Sequence, residues 1–116
     1  MRIDAHQQRA EQLEHALTAL GDPTVDPDMA PGIIEMYWGA GFHWIAYGCE
    51  QKHSKHKENH SHLARYLKDL GEPAIGAAWD RLESTRQGAM YAYHAAPDDV
   101  ARARMAWQEV RTWALT

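Results

Sequence analysis

The stretch IIEMYWGAGFHWIAYGCEQ, residues 33–51, carries apolar or aromatic side chains on almost every side of a helix. A helix that is hydrophobic all round is typical of the centre of a bundle, where each of its faces meets a neighbour. A strand is the poorer alternative, because Gly39, Gly41 and Gly48 would weaken it. Glycine also costs a helix about 1 kcal/mol relative to alanine. We therefore expect these glycines to let neighbouring helices approach closely among the large rings.

Amphipathic segments with helical spacing lie on both sides of this central stretch. They cover residues 4–20, 61–70, 73 to about 95, and 99–114. Asp4 and Asp98 are candidate N-caps of the first and last of these helices. The proline-rich segment DPTVDPDMAPG, residues 22–32, predicts an extended connection without any helix. Short connections between amphipathic helices predict an all-α fold, an up-and-down antiparallel bundle of four to five helices.

Composition limits the class of protein. The 116 residues suit one domain, residues 1–116, and 45% of them are hydrophobic, which is enough for one core. A single cysteine, Cys49, excludes an internal disulfide and Cys-rich zinc sites. The polar start MRIDAHQQRAEQ and the absence of a long apolar run predict a cytoplasmic protein without a membrane partner. The net charge of −4 argues against bulk electrostatic binding of nucleic acid, although a local basic patch is compatible with it.

Arg86 is a charge on an apolar helix face. The face consists of Ile75, Trp79, Leu82, Ala89, Met90 and Tyr93. A buried guanidinium needs a carboxylate, a carbonyl or a phosphate to satisfy its donors. Two interpretations therefore stay open: Arg86 pairs with Glu35, Glu50 or Glu83 and fixes the packing, or it binds a phosphate. His43 lies on a stripe of the central helix that could meet this face, and a core histidine of this kind is more often bonded to a carbonyl.

The segment CEQKHSKHKENHSH, residues 49–62, allows three interpretations. A corner between two helices is favoured. A phosphate-facing edge is second, because five cations lie within seventeen residues of an otherwise acidic chain. They are Lys52, Lys55, Lys57, Arg65 and Lys68. A metal site is third: His53, His56 and His60 would share one face if the helix continued, with Cys49, Glu50 or His62 as a further ligand. The interleaved lysines would repel a cation, so no metal and no cofactor is predicted.

Three motifs carry a resemblance to a known family. EMYWGAGFHWIAYGCEQ, residues 35–51, resembles the second helix of HEPN-type domains, and HSHLARYLKDLG, residues 60–71, is similar to the segment that follows it. RLESTRQGAMYAY, residues 81–93, resembles the family hallmark R-L-x-x-x-R-x-x-A-x-Y. The resemblance runs from about residue 33 to 114, and it depends on the order and spacing of the motifs rather than on any one of them.

The resemblance implies a small helical bundle, usually a homodimer. Many HEPN proteins are toxin ribonucleases or partners of minimal nucleotidyltransferases, and others have lost catalysis and bind nucleic acid or nucleotides. It implies a binding module for RNA, a nucleotide or a partner protein, such as an antitoxin or a small nucleotidyltransferase. The binding residues would be Arg86 as the principal anchor, with His43, Tyr91, Lys52, Lys55, Lys57 and Arg65.

A non-catalytic protein is favoured over a ribonuclease, and the sequence leaves the question of enzymatic activity open. The ribonuclease members carry a histidine four to six residues after the arginine, whereas here Tyr91 stands after four residues and His94 after seven. Tyrosine titrates near pH 10, so Tyr91 is a poor group for moving a proton at neutral pH. One alternative is a metal-independent ribonuclease that uses Arg86 and His94. Another is a purely structural or interaction protein, in which the five tryptophans build the core and a subunit seam.

Overall fold

Five α-helices make up most of the described chain. The computed structural model describes residues 2–20, 27–91 and 97–116, and of residues 27, 91 and 97 only the backbone. The helices are α1 (Ile3–Ala19), α2 (Ala30–His53), α3 (Leu63–Asp69), α4 (Pro73–Tyr91) and α5 (Pro97–Leu115). These ranges contain no strand, so the predicted all-α bundle is confirmed. None of the described helices is long and apolar enough to cross a membrane.

The start of α2 differs from the prediction. Pro27–Met29 form a 3-10 turn, and α2 begins directly after it at Ala30. Pro31 lies in the first helical turn, where the missing N–H costs nothing because that donor has no partner inside the helix. The prediction that residues 22–32 form no helix is therefore wrong for residues 27–32, and residues 22–26 lie outside the described chain.

The two predicted aspartate caps are also displaced. α1 begins at Ile3 and α5 at Pro97, so Asp4 and Asp98 lie inside the first turn and not at the cap position. Negative charge in the first turn still stabilises a helix through its dipole. Both helix starts were therefore predicted to within two residues, but the two aspartates were wrongly assigned as N-caps. The predicted end of α4 near residue 95 lies outside the described residues.

α2 is the central helix, and it packs against α1, α4 and α5. Its glycines make this possible. A methyl group at Gly48 would collide with the ring of Trp113 on α5, and one at Gly41 would lie 2.7 Å from a methyl carbon of Leu82 on α4. The predicted close approach of neighbouring helices at these glycines is confirmed.

Carboxylates hold four of the five indole rings in place. Trp44 on α2 and Trp107 on α5 both donate their Nε1–H to the same oxygen of Glu14 on α1, at 2.6 and 2.8 Å. Trp113 donates to Glu72 and Trp38 donates to Glu83. Hydrogen bonds to a charged acceptor are roughly twice as strong as neutral ones. Glu14 thus joins three helices and fixes the position of α1, which carries part of the candidate site.

Candidate functional site

The segment between α2 and α3 is a corner. α2 ends at His53, and Ser54 follows it in the left-handed conformation with φ 61°. No α-helix forms again until Leu63, where α3 begins. The expected helix-to-helix corner is present. Because α2 does not continue, residues 53, 56 and 60 do not share a helical face.

The three histidines predicted as a metal alternative point to different partners. His53 bonds Glu72 through Nε2 at 3.1 Å. His60 lies edge-on to Trp38, and its Nδ1 is 3.8 Å from Glu83. Only His56 belongs to a group of metal-ligating side chains among the described residues, and its companions are not the predicted ones.

The predicted additional ligands of that metal alternative do not complete it either. Cys49 is buried, and burial raises the pKa of its thiol to about 12, so it stays protonated and is a poor ligand at neutral pH. His62 is exposed and occupies the cap position of α3 with φ 56°. Glu50, in contrast, bonds His56 at 2.9 Å.

A histidine–carboxylate cluster gathers His6, His43, Glu50, His56 and Glu58 from α1, α2 and the corner. The Nδ1 atoms of His6 and His43 share a hydrogen bond of 2.9 Å. His56 bonds Glu50 through Nδ1 at 2.9 Å and Glu58 through Nε2 at 2.6 Å. The rings of His6 and His56 meet edge to face, with centroids 5.0 Å apart. One ligand atom each from His6, His56 and Glu58 lies within 4.8 Å of the other two.

The protonation of the cluster is uneven. Burial lowers the pKa of His6, and burial together with the neighbouring His6 ring lowers the pKa of His43 to about 4. Burial also opposes the charge of His56, but hydrogen bonds to Glu50 and Glu58 outweigh it and raise the pKa of His56. The cluster therefore sets two neutral imidazoles beside one that favours the charged form.

The second ring nitrogen of His6 has no hydrogen-bond partner. The His6 side chain is only 1% exposed, and its Nε2 is a buried polar atom without a hydrogen bond. This atom faces Glu58, whose Oε2 lies 3.6 Å away, beyond good hydrogen-bond distance. A buried polar atom in this condition is rare and calls for a physical explanation.

None of the candidate site motifs described above includes His6. The one local signal is its spacing: His6 precedes Ala10 by one helical turn, so it lies on the apolar stripe of α1. The buried state of His6 agrees with that position. Its partners come from far along the chain, and no local pattern connects them.

Arg86 has a carboxylate partner. Its Nε donates to both oxygens of Glu35, at 3.0 and 2.9 Å, and its guanidinium carbon lies 4.0 Å from the centre of the Trp38 ring. The Arg86 side chain is 20% exposed, so it points inward as predicted. Glu35 is one of the three carboxylates that the sequence offered, and this pair fits the interpretation that Arg86 fixes the packing.

The apolar face around Arg86 is only partly as predicted. Ile75, Trp79, Leu82 and Ala89 are buried, but Met90 is 42% exposed, so its assignment to this face was wrong. Met90 follows Ala89 directly, which places it about 100° round the helix from that residue. Tyr93 and His94, and the side chain of Tyr91, lie outside the described chain.

The structure does not join Arg86 to His43. His43 bonds His6 and meets the edge of Phe42, whereas Arg86 contacts Glu35 and Trp38. The two predicted polar groups therefore belong to separate sites. The usual carbonyl partner expected for His43 is replaced by another histidine ring.

The cations divide into two groups. Five arginines form ion pairs with carboxylates: Arg2, Arg81, Arg86, Arg102 and Arg111. The described chain shows no such pair for Arg9, Lys52, Lys55, Lys57, Arg65, Lys68 and Arg104. Five of these seven lie in residues 52–68, at the corner and on α3.

Two of these five cations have other contacts. The ammonium of Lys57 donates to the Ser61 carbonyl and lies over the Tyr66 ring, and that of Lys52 lies over the Trp113 ring. Lys55, Arg65 and Lys68 are exposed, and Arg65 and Lys68 line one cleft of about 480 Å³ together with Ala64, Asp69 and Asp80. We call Lys55, Arg65 and Lys68 the corner cations.

Comparison with known proteins identifies no relative. No family model matches the chain, and no curated protein and no solved structure matches it either.

Proposed function

We propose that this chain is a non-catalytic, HEPN-like helical bundle that binds RNA or a nucleotide by its phosphates, at the corner between α2 and α3. The observation that supports the proposal is the distribution of cations. Five of the seven cations that form no carboxylate pair within the described residues lie between positions 52 and 68. A chain of net charge −4 thus has most of the cations that form no carboxylate pair within the described residues in one short segment.

The corner cations suit a phosphate-bearing ligand for an electrostatic reason. Arg65 and Lys68 are three residues apart on α3, so they extend from one side of the helix. Both are exposed, and a phosphate that binds them releases counterions from the nucleic acid. Asp69 and Asp80 line the same cleft, so the phosphates have to lie on its Arg65–Lys68 side.

Arg86 enters the proposal as a second cation and not as the principal anchor. Its Nε is held by Glu35, and this carboxylate already offsets its charge. The terminal amino groups of Arg86 make no hydrogen bond to any described residue, and they are donors of the kind that a phosphate oxygen accepts. The ribonuclease alternative with Arg86 and His94 stays a prediction, because residue 94 lies outside the described chain.

The remaining parts of the proposal come from the family resemblance. They are a homodimer, a cytoplasmic location, and a small nucleotidyltransferase or an antitoxin as partner. Light scattering of the purified protein tests the dimer, and co-purification with the product of a neighbouring gene of either type tests the partner. A monomer at all concentrations would remove the dimer from the proposal.

Binding of a fluorescein-labelled oligouridine tests the central part. Anisotropy titrations at several salt concentrations compare the wild type with Arg65→Gln/Lys68→Gln. The matched control is Arg9→Gln/Arg104→Gln, which removes the same charge from two exposed arginines that lie outside the corner and pair with no described carboxylate. Each lost contact to a single strand lowers the salt slope by about 0.7.

We expect the corner variant to bind more weakly than the control and to show a salt slope smaller by about 1.4. Equal binding by the two variants would show that only net charge matters and would overturn the site. Absence of salt-dependent binding by the wild type would overturn the function and favour the purely structural interpretation, in which the tryptophans serve the core alone.

A further inference from the structure

His6, His56 and Glu58 have the composition of a metal site with one open position. We propose that these three side chains bind one Zn²⁺ ion, with water as the fourth ligand. The proposal does not depend on phosphate binding at the corner, since none of the three ligands belongs to the corner cations.

One of the ligand separations is close to that of a tetrahedral zinc site. Zinc ligands lie about 2.0–2.2 Å from the metal, which places two of them about 3.4 Å apart. His6 Nε2 and Glu58 Oε2 are separated by 3.6 Å. All three ligand atoms lie within 4.8 Å of one another, so a small movement of the corner brings them to bonding distance.

A metal ion accounts for the unsatisfied atom of His6. If His6 carries its proton on Nδ1 and donates it to His43, the lone pair of its Nε2 faces the carboxylate of Glu58. A cation bound by both atoms would use this lone pair, which has no hydrogen-bond partner.

Outer partners are present for both histidine ligands. Histidine ligands usually donate their second ring N–H to a carboxylate or another acceptor, which fixes the ring. His56 has Glu50 at its Nδ1, at 2.9 Å, and His6 has His43 at its Nδ1, also at 2.9 Å. Both rings are therefore held with Nε2 turned toward Glu58.

The donor set selects the class of metal. Two imidazoles and one carboxylate suit zinc and its transition-metal neighbours. Calcium and magnesium prefer oxygen ligands alone. The Glu58 side chain is 51% exposed, so water reaches the fourth position.

The neighbouring lysines do not block the site. The ammonium of Lys57 is held by the Ser61 carbonyl and the Tyr66 ring, and Lys55 is exposed. The repulsion between lysines and a metal ion is therefore weaker at His6, His56 and Glu58 than at the predicted site of His53, His56 and His60.

Zinc titration of tag-free protein after dialysis against a chelator tests the site. Competition with a chromophoric chelator gives the stoichiometry and affinity, and thermal unfolding with added zinc gives an independent readout. The variants are His56→Gln and Glu58→Gln, both at the corner and outside the packed core. The controls are His60→Gln, an exposed corner histidine, and His15→Gln, an exposed histidine of α1. Circular dichroism of the zinc-free variants checks that each one folds.

We expect one zinc per chain and a melting temperature that rises with zinc concentration. Both ligand variants should lose at least tenfold in affinity, Glu50→Gln should lose about 10- to 100-fold through its effect on His56, and both controls should bind within twofold of the wild type. Cobalt should give the absorption bands of four-coordinate metal. The proposal fails if the wild type shows no saturable binding. It also fails if the ligand variants bind as the wild type does, or if His60→Gln weakens binding as much as they do.

Discussion

Replacing Glu14 by alanine should cost this protein a large part of its stability. The change leaves two indole N–H groups and Arg111 without their shared acceptor. Trp44 is 0% exposed, so its orphaned donor carries the full penalty of about 1–3 kcal/mol. Trp107 is only partly buried, and Arg111 is 43% exposed, so water compensates much of their loss. The expected sum is a decrease of about 2–4 kcal/mol in the free energy of unfolding, against a typical total of 5–15 kcal/mol.

Urea unfolding followed by circular dichroism measures this change. Glu14→Gln keeps one acceptor oxygen but loses the charge, so it should fall between the wild type and Glu14→Ala. Glu11→Ala is the matched control on the same helix: Glu11 is exposed, its one side-chain hydrogen bond is 3.4 Å long, and the expected change is within about 0.5 kcal/mol. Equal midpoints for Glu14→Ala and Glu11→Ala would refute the claim that a carboxylate joins α1 to the tryptophans of α2 and α5.

Three further predictions use the same unfolding assay. Gly48→Ala should destabilise the protein by about 1–2 kcal/mol, because the new methyl group meets the Trp113 ring. Gly32→Ala, with open space around the new methyl group, should be neutral or stabilising by up to about 1 kcal/mol. A Gly32→Ala variant less stable than Gly48→Ala would contradict the packing of α2. The pKa of His43 is lowered to about 4 in the folded protein, so the unfolded chain binds more protons between pH 4 and 6.5 and stability should rise with pH in that window. His43→Gln should remove that part of the rise, and identical pH profiles would show that the ring is not neutral when folded. Arg86→Met keeps apolar contact with Trp38 but leaves Glu35 unpaired. Because Glu35 is 45% exposed, the free energy of unfolding should fall by about 1 kcal/mol. A fall above about 3 kcal/mol would contradict this exposure of the pair.

The fold was predictable because its signals are local. The all-round apolar stretch identifies α2 as central, and periodic stripes identify the helices beside it. The start of α4 was predicted correctly at Pro73, and the starts of α1, α2, α3 and α5 were misplaced by one to three residues. At α2 and α5 the reason is that Pro31 and Pro97 are compatible with a first turn and do not mark a boundary outside it.

The site was less predictable because its contacts are distant in sequence. The apolar pattern of α4 indicated that Arg86 points inward. Which of the three candidate carboxylates pairs with it depended on the register between α4 and α2, because its partner Glu35 is 51 positions away in the sequence. His6 meets His43 across 37 positions and belongs to a helix that carried no other chemical signal. The histidine-rich segment suggested a metal site because its histidines would share one face of a continuous helix. α2 ends at His53, so they do not share a face, and the turn that follows places His56 against His6 of α1.

An NMR titration of the labelled wild-type protein with oligouridine locates the ligand without any substitution. Phosphate binding at the corner predicts that amide shifts concentrate in residues 52–69 and weaken as salt is raised. Shifts confined to other helices, or no shifts under conditions where the protein is folded, would contradict it.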